Sequence, residues 1–552
     1  MKKLMACLIL CAGFSWACKK DSTPSPPPTP PSFRLQNATL NNSTGPTYDF
    51  VNLVPVLRYN FSDKVNRSTA TSAITFSDAG GVSVPFNLSW ERNDSTMLVQ
   101  PASKLSGLAR YSVTLGKALK SVNDATLQDG FTFNFSTYID STPKFPTISD
   151  DSLLTLIQKQ TFKYFWDFGH PVSGMARERN TSGDVVTTGG SGFGMMSMLS
   201  AMQRGFITRQ QALQRLQLMV DFLQNKAQRF KGAYPHWLNG ISGAVVPFSA
   251  NDNGADLVET SFLAMGLITV RQYFDGGDGG ETTLRNNINS ILNAIEWNWF
   301  RKNNEQVLYW HWSPDKLWTM NLKIQGWNEC LVTYVMAASS ASFSIPDTVY
   351  QKGFAKDGSM KNGKSFYGQT LPLGEDYGGP LFLAHYSFLG IDPRNLKDAY
   401  ADYGAQTVAH SNINLEYCKA NPKNWFGYSA SCWGLTASDI PSGYTASSPT
   451  NDVGVIAPTA AISSLPYTPP QSMAAIRFFY YTMGDKLWGN YGFVDAFKLQ
   501  DLWFASSYLA IDQGPIIVMI ENYRSGLLWR LFTSAPEVKA GMRKLKFSAP
   551  YL

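Results

Sequence analysis

From Asp150 onward the apolar residues recur three and four apart, in stretches such as LLTLIQKQTFKYFWDF, TRQQALQRLQLMVDFLQN, LRNNINSILNAIEWNWF, NECLVTYVMAASS and SMAAIRFFYYTMGD. This spacing lines one face of a helix with apolar side chains, and roughly a dozen such segments follow one another to the C-terminus. Helices in that number, taken in pairs, predict a mainly α toroid of inner and outer helices. Gly- and aromatic-rich connections such as KGAYPHWLNGISGAVVPF would line a cleft at one rim. The helical stretches show no self-similarity of the kind that marks a tetratricopeptide array.

Upstream the texture differs. Between residues 33 and 140, short alternating runs (VPVLRYNFS, VPFNLSWER, YSVTLGKAL, FTFNFSTYI) are separated by Gly, Asn, Asp and Ser turns. They predict a small all-β sandwich, and its size and pattern resemble bacterial Ig-like domains. It contains no clustered chemistry, so its expected role is a spacer or packing module, with glycan binding the alternative. STPKFPTIS (141–149) reads as a linker before the helical domain at 150–552. The chain begins MKKLMACLILCAGFSWACKKDS, a basic start and short apolar run that reads as a secretory signal over 1–17. Small Ala17 before Cys18 resembles the processing site of bacterial lipoproteins, although Ser15 and Trp16 fit its usual pattern poorly. The resemblance implies a lipid anchor on Cys18, and the charged CKKDS resembles the tether of lipoproteins displayed at the cell surface. The tether, 18–32, continues as STPSPPPTPPS, a stiff extended polyproline spacer. The expected location is the outer membrane, facing the cell surface or the periplasm. Cleavage leaves Cys330, Cys418 and Cys432, so a Cys418–Cys432 disulfide is one reading and free thiols the other.

Composition removes several function classes. Formal net charge is +6 and only 16% of residues are charged, with no long basic cluster, so nucleic acid is not an expected partner. The five His form no H-E-x-x-H, no Cys pair has zinc spacing, and NDNGADLVE lacks the order of a calcium loop. No G-x-S-x-G or P-loop occurs, so acyl and phosphoryl transfer lose their usual signals. No metal or cofactor is expected. The abundance of rings (15 Trp, 25 Tyr, 34 Phe) suits the weakly amphipathic faces of sugars, although core packing is their default use.

The remaining chemistry is carboxylates beside aromatics. In SANDNGADLVETSFLAMGL, Asp252, Asp256 and Glu259 fall on one face of a helix, where like charges cost a few tenths of a kcal/mol per pair. The bland explanation is that Asp252 caps the helix and the other two complement its positive end, worth up to about 1 kcal/mol. Glu329 follows Gly326 and Trp327 and precedes an apolar helix; desolvation would raise its pKa and a helix N-terminus would lower it. Asp512 stands just before Gly514-Pro515, where helix initiation is the simple alternative, and Glu521 reads equally as a structural ion-pair member.

The stretches GSGFGMMSML, DLVETSFLAMGL, GWNECLVTYVMAASS, GGPLFLAHYSFLGIDPR, CWGLTASD, VIAPTAAISSLPYTPPQSM and AIDQGPIIVMIENYRSGLLW resemble the glucoamylase-like domain of glycoside hydrolase family 144. The resemblance extends over 150–552 and excludes the β-domain. It implies an (α/α)6 toroid that needs no metal and hydrolyses β-1,2-glucan with inversion, either as an endo-glucanase or by releasing sophorose from a chain end. It carries over Asp252, Asp256, Glu259 and Glu329 as acidic residues important for activity, expected as a row of exposed acids that accept hydrogen bonds from sugar hydroxyls. Inversion needs an acid and a base on opposite faces of the sugar. Glu329 is the expected acid and Asp512 the expected base, with Asp256 and Asp501 behind it. Trp237, Trp327 and Tyr377 are candidates to stack on glucosyl rings and Arg177 to bind hydroxyls, with wall packing or a surface ion pair as the plain alternative for each. A monomer acting on a β-1,2-glucan polysaccharide or oligosaccharide is expected. Two other classes compete: a surface glycan-binding lipoprotein without catalysis, and a polysaccharide lyase on a similar toroid, which needs a uronate substrate.

Overall fold

The computed structural model describes residues 32–552; the expected signal segment, Cys18 and nearly all of the proline-rich tether lie outside the described residues. The chain divides into two compact units, one ending at Asp140 and the other spanning Ser141–Leu552.

In the first unit, β1 (Leu35–Leu40), β2 (Ser43–Thr44), β3 (Thr47–Val51), β4 (Leu57–Phe61), β5 (Ile74–Asp78), β6 (Phe86–Glu91), β7 (Thr96–Pro101), β8 (Arg110–Leu115) and β9 (Phe131–Thr137) form two sheets. Their orders are β2-β1-β4-β7-β6 and β3-β9-β8-β5. Alternation decides which side chains point inward: along β4, Leu57, Tyr59 and Phe61 are buried while Arg58 and Asn60 are not, as a two-residue side-chain period requires. These side chains meet Val113, Leu115 and Phe133 of the other sheet in one core, with the Tyr59 and Phe133 rings packed edge to face at 5.6 Å. This is the Ig-like sandwich.

The second unit is the helical toroid. Its outer layer comprises α1 (Asp150–Trp166), α3 (Arg209–Asn225), α5 (Gly279–Asn293), the short α7 (Asp347–Val349) extended by a π-turn to Phe354, α8 (Tyr403–Ala420) and α10 (Pro469–Arg477), itself extended by a π-turn to Thr482. Between them run the inner helices α2 (Thr188–Gln203), α4 (Leu257–Tyr273), α6 (Leu331–Ser339), α9 (Pro458–Ser463) and, after the single turn α11 (Gly484–Leu487), α12 (Ala510–Ser525). The fourth inner position carries no α-helix; the 3-10 turns Leu381–Ala384 and Ser387–Leu389 occupy it. A final pair, α13 (Leu527–Ser534) and α14 (Pro536–Lys544), follows, with α13 packed against α2, α4 and α12.

Sequence separates the two layers. The outer α3 buries Ala212, Leu213, Leu216, Met219, Val220 and Leu223 and leaves its Arg and Gln side outward, and a Thr208–Gln211 capping box starts it. The inner α2 and α4 are buried almost throughout their length, because they have neighbours on every side. Glycines set how close these two approach. A Cβ on Gly192 would lie 2.4 Å from the Phe262 carbonyl oxygen, and one on Gly266 would lie 2.4 Å from that of Gly192, so the backbones touch.

Cys330, Cys418 and Cys432 are buried free thiols, which decides between the two cysteine readings. No described helix is long and apolar enough to cross a membrane.

Candidate active site

A cavity of about 450 Å³ opens where the inner segments begin. It is lined by Thr187 ahead of α2, Val258 and Glu259 of α4, Glu329 ahead of α6, Phe382 and Tyr386 of the 3-10 segment, and Leu509 and Ile511 at the start of α12. Helix N-termini present unsatisfied N–H groups and a partial positive charge, so a rim built from several of them favours carboxylates. Aromatic walls stand opposite: Trp237, Phe248, Trp310 and Tyr444. The His236 and Phe248 rings lie 4.3 Å apart and those of Trp237 and Phe248 4.9 Å apart.

The three acids near 252–259 differ from the expected exposed row. The α4 helix begins at Leu257, so Asp252 and Asp256 precede it, and all three side chains are buried. Asp256 is the N-cap: its Oδ1 accepts from the backbone N–H of Val258 at 3.0 Å and of Glu259 at 2.9 Å. Its Oδ2 lies 2.9 Å from His236 Nδ1. Glu259 Oε2 reaches across to α2 and accepts from the Gly189 N–H at 2.7 Å. Asp252 Oδ1 lies 3.2 Å from His311 Nδ1, and His311 is placed there because it sits opposite Asp256 in a two-residue strand pair.

Two histidines, remote in sequence, thus hold the acids together. Burial works against a charge on His236, but the Glu259 and Asp256 carboxylates outweigh it and raise its pKa to about 9. His311 is raised above its ordinary value in the same way, burial being outweighed by Asp252 and Asp256. Asp256 is held below the ordinary carboxyl range: burial opposes its charge, and the His236 hydrogen bond with the two imidazolium charges overcomes that. Glu259 goes up, through burial and the Asp256 charge. His236, Asp252 and Asp256 are the described residues that could hold a cation, with ligand atoms within 4.8 Å of one another. A His236 protonated at neutral pH donates to Asp256 and has no lone pair for a metal.

Glu329 sits just before α6, with its backbone carbonyl accepting from the Ser387 hydroxyl. Burial, aided by the Asp256 and Glu259 charges and opposed by its own backbone N–H, raises its carboxyl to about 7. Below about 7 it therefore holds a proton while facing the cavity.

Asp512 does not line the cavity. The α12 helix begins at Ala510, ahead of the Gly514-Pro515 start expected from sequence, which puts Asp512 in the first turn. Its side chain is buried beside Tyr386 and Tyr444, both of which do line the cavity. There it pairs with Asp495. Asp512 Oδ2 and Asp495 Oδ1 have no other donor partner, and two adjoining carboxyls satisfy each other only when at least one of them is protonated. Burial and the Asp495 charge push Asp512 well above the carboxyl range, and burial raises Asp495 to about 7. The pair connects to the cavity wall, because Asp495 Oδ2 accepts from the Asp439 N–H at 2.7 Å and the Asp439 carboxylate accepts from Arg179 Nη1 at 3.2 Å.

Among the other residues singled out, only Trp237 lines the cavity. Arg177 donates through Nε to the Gly183 carbonyl and through Nη1 to that of Phe168, both at 2.9 Å, and stacks on the Phe168 ring. Two residues on, Arg179 takes the cavity position instead, with Nε bound to the Glu178 carboxylate at 2.9 Å. Trp327 packs against Phe388 and Tyr403, and Tyr377 against Phe366 and Tyr417. Asp501 is exposed, 2.9 Å from Lys498, and Glu521 is a buried structural partner of Arg204 at 2.7 Å. Sequence reasoning missed His236, Glu178, Arg179, Trp310, Tyr386 and Tyr444. Of these, only His236, beside Trp237 in YPHWLNG, carried a signal in its choice of residue types.

Comparison with known proteins follows the same division. A glycoamylase family profile, described as "Putative glucoamylase", matches residues 321–536, and a bacterial Ig-like profile matches 42–137. The chain is 41% identical over 462 residues to the exo β-1,2-glucooligosaccharide sophorohydrolase (non-reducing end) of Parabacteroides distasonis, covering 79% of this chain and 62% of that relative's length. An endo-β-1,2-glucanase from Chitinophaga pinensis, solved with sophorotriose and glucose, superposes with a TM-score of 0.72 at 52% identity, over 74% of this chain and 100% of its own. A β-1,2-glucanase from Parabacteroides distasonis superposes with a TM-score of 0.71 at 35% identity, over 94% of this chain and 74% of its own.

Proposed function

The chain belongs to the glucoamylase-like family, glycoside hydrolase family 144, and from that membership we propose that it hydrolyses β-1,2-glucosidic bonds of β-1,2-glucan with inversion. The observation that carries the proposal is Glu329, a carboxyl raised to about 7 and facing an aromatic-walled cavity. A glycosidase acid must hold a proton at working pH and release it to the leaving glycosidic oxygen. Glu329 does this. The proton acceptor for the attacking water is the Asp495–Asp512 pair, which carries one negative charge once Asp495 gives up its proton at about 7; the water's proton reaches the pair through water or a substrate hydroxyl past the Tyr386–Tyr444 wall. Glu259 and His236, which line the cavity, bind and orient sugar hydroxyls; Asp256 and Asp252, buried behind them and off the cavity surface, hold His236 and His311 in place and do not make the direct sugar contacts expected from sequence. Trp237, Phe248 and Trp310 pack on the flat faces of the rings. Arg177, Trp327 and Tyr377 take no part in sugar binding, because none of them lines the cavity.

The test is incubation of the purified protein with linear β-1,2-glucan and identification of the products over time, with Glu329→Gln in parallel. A ladder of oligosaccharides from the unaltered protein alone establishes endo action, and sophorose from the first time point establishes exo action. Cleavage by both proteins removes Glu329 from the mechanism, and cleavage by neither favours glycan binding without catalysis.

Export and anchoring to the outer membrane through a lipid on Cys18 belong to the same proposal, supported by the basic and apolar leader and the small residue before Cys18. Cys18→Ala should move the protein from the membrane fraction to the soluble fraction. Unchanged fractionation would remove the anchor.

A further inference from the structure

A second cavity of about 490 Å³ adjoins the catalytic one. The two share a wall, since Arg179 and Tyr444 line both. Tyr444 stands on a hairpin of Ala437–Ile440 and Gly443–Ala446, directly opposite Asp439, and is 50% exposed. The Arg179 side of the wall is fixed in place. Arg179 is held between Glu178 and Asp439, and Asp439 also accepts from the Ser507 hydroxyl at 2.5 Å. On the far side stand Trp503 and Phe504, whose strand pairs with Phe497–Lys498. Trp503 packs against the buried Val455, Ala457 and Ala496, and Phe504 stacks on Phe497, so both rings are braced while bordering the cavity. Ser506 and Thr181 complete an exposed polar edge.

We infer that the glucan chain leaves the catalytic cavity past Tyr444 and that this second cavity binds its further glucosyl units. The inference rests on the functional reading above and extends it to chain length. Braced rings with hydroxyl and carboxylate neighbours match a sugar, which offers a weakly apolar face and a rim of hydroxyls. Arg179 is flanked by two carboxylates, so the cavity has no surplus positive charge for an anionic glycan and suits a neutral one. Binding remote from the reacting bond acts on long substrates and leaves the shortest ones untouched.

The experiment compares kcat/KM over a series of β-1,2-glucooligosaccharides of increasing length for the unaltered enzyme, Trp503→Ala and Ser506→Trp. The first variant removes a ring; the second fills the cavity from an exposed position, where folding is not at stake. Both should lose about tenfold or more on long chains and stay within about twofold on the shortest substrate cleaved. Equal loss at every length in both variants, or no loss at any length, overturns the inference while leaving the hydrolase reading intact. Absence of cleavage by the unaltered enzyme overturns that reading, and this inference with it.

Discussion

A single proton position decides what Glu329 can do. With its carboxyl raised to about 7, the form able to donate is present below that pH and disappears as pH rises through it. The rate at saturating glucan should therefore fall on the alkaline side of about 7, and Glu329→Gln should lower kcat by about 10²- to 10⁴-fold and abolish that limb while leaving Tm unchanged. The Asp495–Asp512 pair gives the other residue-scale test. Both folded-state pKa values are raised, and Asp495 reaches about 7, whereas an unfolded aspartate titrates near about 4. Between those values the folded state binds more protons than the unfolded, so the pair's contribution to stability declines as pH rises. Asp512→Asn keeps the shape and removes the charge; Tm measured across this range should then fall less steeply than in the unaltered protein. An equal slope in both would deny that Asp512 titrates above the ordinary carboxyl range. The same variant should lose activity by orders of magnitude if the pair is the proton acceptor.

Among the elements, the contact between α2 and α4 places the site. Glu259 on α4 reaches the Gly189 N–H of α2 only because Gly192 and Gly266 let the two backbones meet. Gly192→Ala should destabilise by about 1–3 kcal/mol, the range for overpacking a tight interior, read as a lower urea midpoint. It should also lower activity at temperatures where the protein stays folded, because Glu259 is drawn away from α2; full activity with reduced stability would show that the helix contact and the site are independent. Periodicity found α1, α3, α5, α6 and α10 in the sequence because their apolar spacing is a local property. The inner segment at 381–389 escaped it. Its two 3-10 turns, broken around His385 and Tyr386, are held by neighbours on every side and not by any helical repeat of their own.

At the scale of the whole molecule, every residue lining the candidate active site lies within Ser141–Leu552, and the Chitinophaga pinensis relative is matched over its full length by 74% of this chain. The segment 141–552 expressed alone should therefore fold and cleave β-1,2-glucan at a rate within a few-fold of the full chain; an inactive but folded segment would give the Ig-like unit a part in the reaction. The change from two-residue to three-and-four-residue apolar spacing, the helical architecture, the aromatic abundance and the grouping of acids at 252–259 and 329 were all legible in sequence, because each depends on residues a few positions apart. The protonation state of Asp256, Glu259 and Glu329 was not. It depends on His236, just ahead of the strand Trp237–Asn239, and on His311, opposite Asp256 in a short strand pair; the state of Asp512 depends on Asp495, brought to it across a loop. The choice of Arg179 over Arg177 for the cavity was equally beyond the sequence, since both arginines share one short stretch and differ only in which neighbours fold against them. Local pattern determines which segments form helices and strands; burial and charge proximity, which set the chemistry, arise only when segments far apart in the chain close around one cavity.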